Sequence, residues 1–340
     1  MSQNVLEMTR EELIDTARSM IPALRARAEE TERIKRIPEA TVNELKQAGI
    51  MKILRPKMYG GLEFDFRTYT AVVTEIARGC GSTGWFVSLS NIRDYMIAFV
   101  FGQKALDEIF SLGNDIIFAG NFKPVKCNIR RVEGGIYIEE AQWPFVSGCL
   151  HADWGYFGFP FTDENGNTEF AIIVVPYKDA EILDDWNVLG LRGSGSNSVR
   201  IKDMFVPEHR VSLDRLAQQG HYTSEKLKHI PIYRTAFVPA LTLSIVCSSV
   251  GIVKGAMDVH MEHVMKSGIG NTFYFKQSEA PITHQQIGQA QLKIDSAEMH
   301  LLRAAEMLDE YARQNRTMTQ QERIRIKAEF GYVNQLCKEA

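Results

Sequence analysis

The sequence predicts an α+β chain, with helical segments on both sides of a central antiparallel β unit. Three observations carry that expectation. Up to about residue 115, apolar positions recur at helical spacing between helix start and stop residues. From Asp115 to about Val211 the pattern changes to period two, in short runs rich in aromatic and β-branched residues. After a polar connector, Asp214 to Lys228, helical periodicity returns. The expected units are an N-terminal helical domain (1–115), a central β domain (116–212) and a C-terminal helical bundle (213–340).

The elements follow in order. Thr9 with Glu12 reads as a capping box, and Pro22 should kink the charged amphipathic run that continues to Arg36. Pro38 suits the first turn of a helix that Gly49 ends. Gly60-Gly61 breaks the chain before a helix starting near Asp65, and Gly81-Ser82 should cap a further helix that ends at Gly102. IIFAGNF, GGIYIEEAQWPFVSG, WGYFGFPF, EFAIIVVP and SVRIKDMFVP read as strands, with a turn at 164–167. In the last segment, Ala240, Ser244 and Ser248 recur every fourth residue, as do Gly251 and Gly255, a spacing that lets helices approach closely. A long charged helix is expected from about Ile282 to Arg313. The stretch from Thr319 to Ala340 is helical in composition and has no stop signal, as though the natural chain continued.

Composition excludes several classes. A net charge of −3 gives no reason to expect nucleic acid or an anionic membrane as partner. Five cysteines without C-x-x-C spacing argue for free thiols in a reducing compartment, with cytoplasm as the default, and against a zinc site. The N-terminus has neither the basic nor the apolar region of a signal peptide. Thr235 to Val253 carries no charge and approaches membrane-span length, but Pro239, Cys247 and several hydroxyl residues dilute it, so a buried helix is the better expectation.

The stretch from Trp186 to Val211 organises the rest. Its first half, Leu189 to Ser198, is too rich in Gly and Ser for helix interior or a plain strand. Such a loop can bring backbone N–H groups and the hydroxyls of Ser194, Ser196 and Ser198 close to a ligand, with the Arg192 guanidinium nearby. The rival reading is a Gly-rich hairpin on a β domain. In sequence order, a Trp, a Leu-Gly-x-Arg loop, a strand and a Val-Pro pair resemble the β-domain exit of the acyl-CoA dehydrogenase superfamily. The Arg-Gly-Ser-Gly-Ser form is more similar to one branch, the oxygenase components of two-component flavin-dependent monooxygenases, such as 4-hydroxyphenylacetate and steroid-phenol hydroxylases. IPEATVNELKQAGIMKILRPKMYGGLE, CGSTGW and GGIYIEEAQWPFVSGCLHADW resemble further stretches of that branch in the same order. GNFKPVKCN stands where acyl-CoA dehydrogenases carry Thr-Glu-Pro-x-x-Gly-Ser-Asp.

The resemblance implies a site. FMN or FAD in reduced form is the expected co-substrate, with Trp85 and Trp143 as an apolar slab for its ring. Ser147 would be the catalytic hydroxyl near flavin N5 and C4a, where a C4a-hydroperoxide forms and passes one oxygen to a small aromatic, phenolic substrate. Asn121 and Ser194 are expected at the cofactor, Trp85 and Arg192 at the substrate mouth, and Lys276 at the flavin phosphate, from a neighbouring subunit. Where the branch usually has a substrate-facing His, this chain has Arg93, which cannot act as a base at neutral pH but can bind a phenolate or carboxylate. The catalytic His of the branch falls beyond Ala340. Trp143 as strand core, Ser147 at a solvated strand end, Asn121 in a turn and Lys276 as a solvated lysine are the plainer alternatives. Neither His151 nor His209 is expected as a base, and no metal-ligand spacing appears. The partners implied are a flavin reductase, O₂ and further copies of the chain in a homotetramer. The alternatives are an acyl-CoA dehydrogenase, although Glu225 to Asp258 encloses no acidic residue for its base, and a flavin-binding relative without turnover.

Overall fold

A computed structural model describes residues 5–111, 113, 115–162, 168–213 and 224–340. The N-terminal helices are α1 (Arg10–Ser19), α2 (Ile21–Ala26), α3 (Ala28–Ile34), α4 (Glu39–Gln47), α5 (Phe66–Gly79), α6 (Gly81–Val100) and α7 (Gln103–Phe110). The Thr9–Glu12 capping box forms at the start of α1. Pro22 sits in the first turn of α2 rather than within one kinked helix. Gly49, at φ 74°, follows α4 in the left-handed conformation that glycine tolerates best. Asp65 caps α5. Ser82 does not cap α6; its hydroxyl donates to Glu32 Oε1 at 2.9 Å.

Two four-stranded sheets follow. One has the order β1 (Phe118–Ala119), β4 (Trp154–Thr162), β5 (Thr168–Pro176), β8 (Val211–Leu213). The other runs β2 (Lys126–Val132), β3 (Gly135–Trp143), β7 (Val199–Pro207), β6 (Glu181–Ile182). All pairs are antiparallel except β1 with β4. The turn expected at 164–167 and most of the connector from Asp214 lie outside the described residues.

The first sheet is covered on both faces, which explains its nearly unbroken apolar strands. Trp154, Tyr156, Ile172 and Val174 join the helical core, while Phe157, Phe159, Ala171, Ile173 and Val175 fill the space between the sheets. Alternation along each strand sends neighbours to opposite faces.

The chain closes with α8 (Phe237–Val264), α9 (Pro281–Arg313) and α10 (Gln320–Glu339). By length and composition α8 could cross a membrane, yet Leu243, Val246, Cys247 and Val250 are buried in the core that it shares with the N-terminal helices. Its small residues make that packing possible: a Cβ on Gly251 would stand 2.2 Å from Thr74 O, and one on Gly255 would stand 2.5 Å from Arg78 O. The opposite stripe of α8, Val238, Ile245 and Val259, is about half exposed.

Candidate functional site

The turn after β3 is where the site begins. Phe145 adopts φ 55° and Gly148 φ 80°, so the backbone leaves the strand direction abruptly. A non-glycine residue held there needs support from its surroundings. The Gly/Ser loop gives it: Val146 N donates to Asn197 O and Gly148 N to Ser194 O, both at 3.1 Å. Asn121, just after β1, braces the same turn by donating from Nδ2 to Pro144 O at 2.6 Å.

This bracing places a series of hydroxyls. Trp85 Nε1, in the first turns of α6, donates to Ser147 Oγ at 2.9 Å. Ser147 Oγ lies 2.7 Å from Ser196 Oγ, which lies 2.7 Å from Ser194 Oγ. Because the indole can only donate, Ser147 accepts from it and keeps its own proton to give. These groups border a cavity of about 340 Å³, a size within the range of small-molecule sites. Its walls are Trp85, Leu89, Ile92 and Met96 of α6, Leu241 and Ile245 of α8, and Phe145, Trp186 and Leu191 from the β loops. Phe145, 65% exposed, meets Trp186 edge to face with centroids 6.1 Å apart. Other hollows, of about 470 Å³ beside α7 and about 830 Å³ at the start of α6, have neither this aromatic pair nor these hydroxyls.

Arg93 lies along the same cavity and is buried. Its Nη1 donates to Leu89 O at 2.7 Å and its Nη2 to Gly120 O at 2.6 Å. Gly120 must be glycine for this approach, since a Cβ would stand 1.6 Å from Tyr156 O. Burial pulls the guanidinium down to about 10, against the tyrosine hydroxyls around it, so it stays a cation at neutral pH.

Trp85, Arg93, Asn121, Ser147 and Ser194 are therefore brought together. Three other expected residues are not. Trp143 is fully buried between the sheets, stacked on Phe157 at 4.5 Å with its indole N–H on Gly158 O. Strand parity puts it in the core, and Phe145 takes the exposed position expected of it. Arg192 does not line the cavity; its Nε donates to Val188 O at 3.3 Å. The Gly/Ser loop is not an open cradle for a ligand either. Gly193 N donates to Glu32 Oε1 and Ser198 N to Asp185 Oδ1, and a Cβ on Gly193 would meet Thr31 at 2.2 Å. Lys276 is exposed in the segment between α8 and α9, away from the cavity within one chain.

His151 is buried and pulled down to about 4 by burial, with Arg36 adding to the effect, so it is neutral and lies behind the turn rather than in the cavity. His209 Nε2 sits 2.9 Å from Glu108 Oε2, at the hollow beside α7. Phe145 and Ser196 also line the cavity, and neither is among the cofactor or substrate residues expected from the sequence. For Phe145 the available signal was its place two residues before Ser147, in the turn beyond the strand. Ser196 was visible only as one of several alternating serines.

Residues 6–108 match the description "Acyl-CoA dehydrogenase, N-terminal domain" and residues 243–340 match "Acyl-CoA dehydrogenase, C-terminal domain". The chain is 32% identical over 294 residues to the flavin-dependent monooxygenase, oxygenase subunit HsaA, of Rhodococcus jostii strain RHA1, covering 86% of this chain and 76% of that protein. It is 28% identical over 256 residues to the p-hydroxyphenylacetate 3-hydroxylase oxygenase component of Acinetobacter baumannii, covering 74% of this chain and 59% of that one. Among solved structures, XiaF from Streptomyces sp., in complex with FADH2 and glycerol, superposes with a TM-score of 0.87 at 30% identity, over 96% of this chain and 82% of that one.

Proposed function

The chain belongs to the acyl-CoA dehydrogenase family, in its branch of flavin-dependent monooxygenase oxygenase components, and on that premise we propose the following assignment of its cavity. The protein hydroxylates a small aromatic, phenolic molecule with O₂ and reduced FMN or FAD supplied by a separate flavin reductase. The balance is one C–H, one O₂ and two electrons with two protons from the reduced flavin, giving one C–OH, one water and oxidised flavin.

The observation that carries this reading is the lining of the cavity. Aromatic rings, exposed Phe145 and half-buried Trp85 and Trp186, stand beside a directed hydroxyl, and among the described lining residues none is Asp, Glu or His. A dehydrogenase needs a carboxylate to take a proton from its substrate, whereas oxygen transfer needs a dry pocket and a proton held at the right edge. Bound reduced flavin supplies the electrons and the activation of O₂. Phe145 and Trp186 offer apolar surface to its ring, Ser147 presents its proton, and Ser196 and Ser194 hold Ser147 in register. Asn121 acts by bracing the turn that carries Phe145. Leu89, Ile92 and Met96, with Leu241 and Ile245, exclude water around the substrate.

The segments 1–115, 116–212 and 213–340 remain our division of the chain, supported by the separate core between the sheets. A homotetramer is part of the same proposal. Its support is the stripe of Val238, Ile245, Ile252 and Val259, seven residues apart on α8, together with exposed Phe273 and Phe275 in the segment that carries Lys276. Apolar surface arranged this way marks association. A second copy would bring Lys276 within reach of a neighbouring flavin phosphate. Free thiols at all five cysteines fit a reducing, cytoplasmic setting.

Anaerobic titration tests the assignment. Reduced flavin is expected to bind more tightly than oxidised flavin, because the protein receives the reduced form from solution. Equal or reversed affinity contradicts it.

A further inference from the structure

Helix α6 reaches the turn after β3 by two routes. The direct one is Trp85, whose Nε1 donates to Ser147 Oγ at 2.9 Å. The second begins at Arg93, about two turns further along the same helix. Its Nη2 donates to Gly120 O at 2.6 Å. The next residue, Asn121, donates from Nδ2 to Pro144 O, also at 2.6 Å. Pro144 precedes Phe145, the left-handed aromatic from which the chain turns to Ser147.

Each link of the second route is held. Arg93 Nη1 donates to Leu89 O, on its own helix, at 2.7 Å, which fixes the guanidinium to α6. Gly158 N donates to Asn121 O at 3.0 Å, and a Cβ on Gly120 would stand 1.6 Å from Tyr156 O, so this backbone is pressed against β4. Phe122 N donates to Asn121 Oδ1 at 2.6 Å and so orients the amide whose Nδ2 meets Pro144. A bulky residue at positive φ keeps that conformation only while its surroundings hold it. For Phe145 the hold is Pro144 O on one side and Val146 N, on Asn197 O, on the other.

The charge gives the reason for an arginine here. Arg93 is 7% exposed and has no carboxylate partner among the described residues, since Asp94 beside it is paired with Arg55. An apolar side chain of similar size would avoid the cost of burying that cation. What the cation adds is charge-assisted bonding to two carbonyls, roughly twice as strong as neutral bonding, one on α6 and one at the exit of β1. A single planar fork carries both bonds and so spans helix and strand rigidly.

We propose that Arg93 is a positioning residue for the reaction. It ties the exit of β1 to α6 and so, through Asn121 and Pro144, holds Ser147 in register with Trp85. The link itself stands on hydrogen bonds alone, while its consequence for oxygen transfer rests on the oxygenase reading.

The test begins without flavin. In the full chain carrying isotope-labelled tryptophan, hydrogen exchange of the Trp85 indole N–H, followed by NMR, reports how often the bond to Ser147 opens. Arg93→Met is expected to speed that exchange on the order of tenfold, and Asn121→Ala likewise. Because both act on one route, the double variant should exchange no faster than the faster single one. Arg93→Lys, which keeps the charge without the fork, should fall between and carries the same comparison if Arg93→Met does not fold. The Trp143 indole, buried between the sheets on Gly158 O, is the internal reference and should not change. Unaltered exchange at Trp85 overturns the proposal. So does equal acceleration at Trp85 and Trp143, which would make Arg93 a general support of the β unit, or full multiplication of the two rate effects in the double variant. Mixing O₂ with the protein holding reduced FMN then reads the consequence. Arg93→Met should shorten the lag before oxidised flavin appears, and should add nothing in a Ser147→Ala background. If Trp85 exchange responds while the lag does not, the link stands and the reaction role given to Ser147 falls. If the exchange does not respond, the role of Arg93 falls and the oxygenase reading is untouched.

Discussion

The two flanks of α6 handle buried polar groups in opposite ways. On one flank Asn91 and Asp94 find their partners within the chain. Asn91 accepts from Ile53 N at 2.7 Å and donates to Ile50 O and Val87 O, and Asp94 accepts from Arg55 Nε at 2.9 Å. Arg55 and Asp94 are both almost wholly inaccessible to water. On the other flank Trp85 donates its indole N–H to a serine at the cavity edge, and Arg93 keeps a charge that no carboxylate among the described residues answers. Polar groups that satisfy one another specify the fold. Polar groups left open toward a hollow specify a ligand. Adjacent residues, Arg93 and Asp94, fall on either side of that division.

If the division is right, damage to the closed flank should be a stability effect. Asp94→Ala leaves Arg55 buried without its counter-charge and should cost about 3–5 kcal/mol, a large part of the ~5–15 kcal/mol that holds a domain together. Urea unfolding measures it. A loss below about 1 kcal/mol would mean that Arg55 readily finds another partner.

A second closed cluster sharpens the point at lower cost. Asp309, on α9, accepts from Phe66 N and Arg67 N, both at 2.9 Å, at the start of α5. Burial, with Asp65 adding to it, pushes its carboxyl up to about 7, although those N–H groups oppose the rise. The folded protein therefore keeps this proton where the unfolded chain, with an ordinary value near ~3.9, has released it. Stability should fall as pH rises from about 4 to about 7 and level off above. Asp309→Asn should flatten that slope in urea unfolding at pH 5 and pH 8. An unchanged slope would assign the pH dependence elsewhere.

Much of the closed architecture is legible in sequence because it is local or periodic. The capping box at Thr9, the period-two strands and the small-residue spacing on α8 each follow from a few neighbouring residues. Arg55 and Asp94 stand 39 positions apart, and nothing in either neighbourhood announces the pair. Trp85 and Ser147, each singled out by a motif, do line the cavity. Trp143 lies in the core instead, because alternation within a strand is visible while the point where the chain leaves the strand is not. Phe145 reaches the cavity through a left-handed backbone that aromatic residues seldom adopt. Arg192 lies off the cavity for a related reason: a Gly/Ser loop can hold a ligand or hold another loop, and here hydrogen bonds to the β3 turn decide it.

The smallest structural change carries the central claim. Ser147→Ala removes one hydroxyl and should alter stability by only about 1 kcal/mol, yet it removes the proton presented at the open flank. The decisive measurement is rapid mixing of O₂ with the protein holding reduced FMN, following the absorbance of oxidised flavin. The account predicts a lag before oxidised flavin appears, a shorter lag in Ser147→Ala, and faster release of H₂O₂ from that variant. Oxidation without a lag in both proteins, with acyl-CoA reducing the bound oxidised flavin, would contradict it.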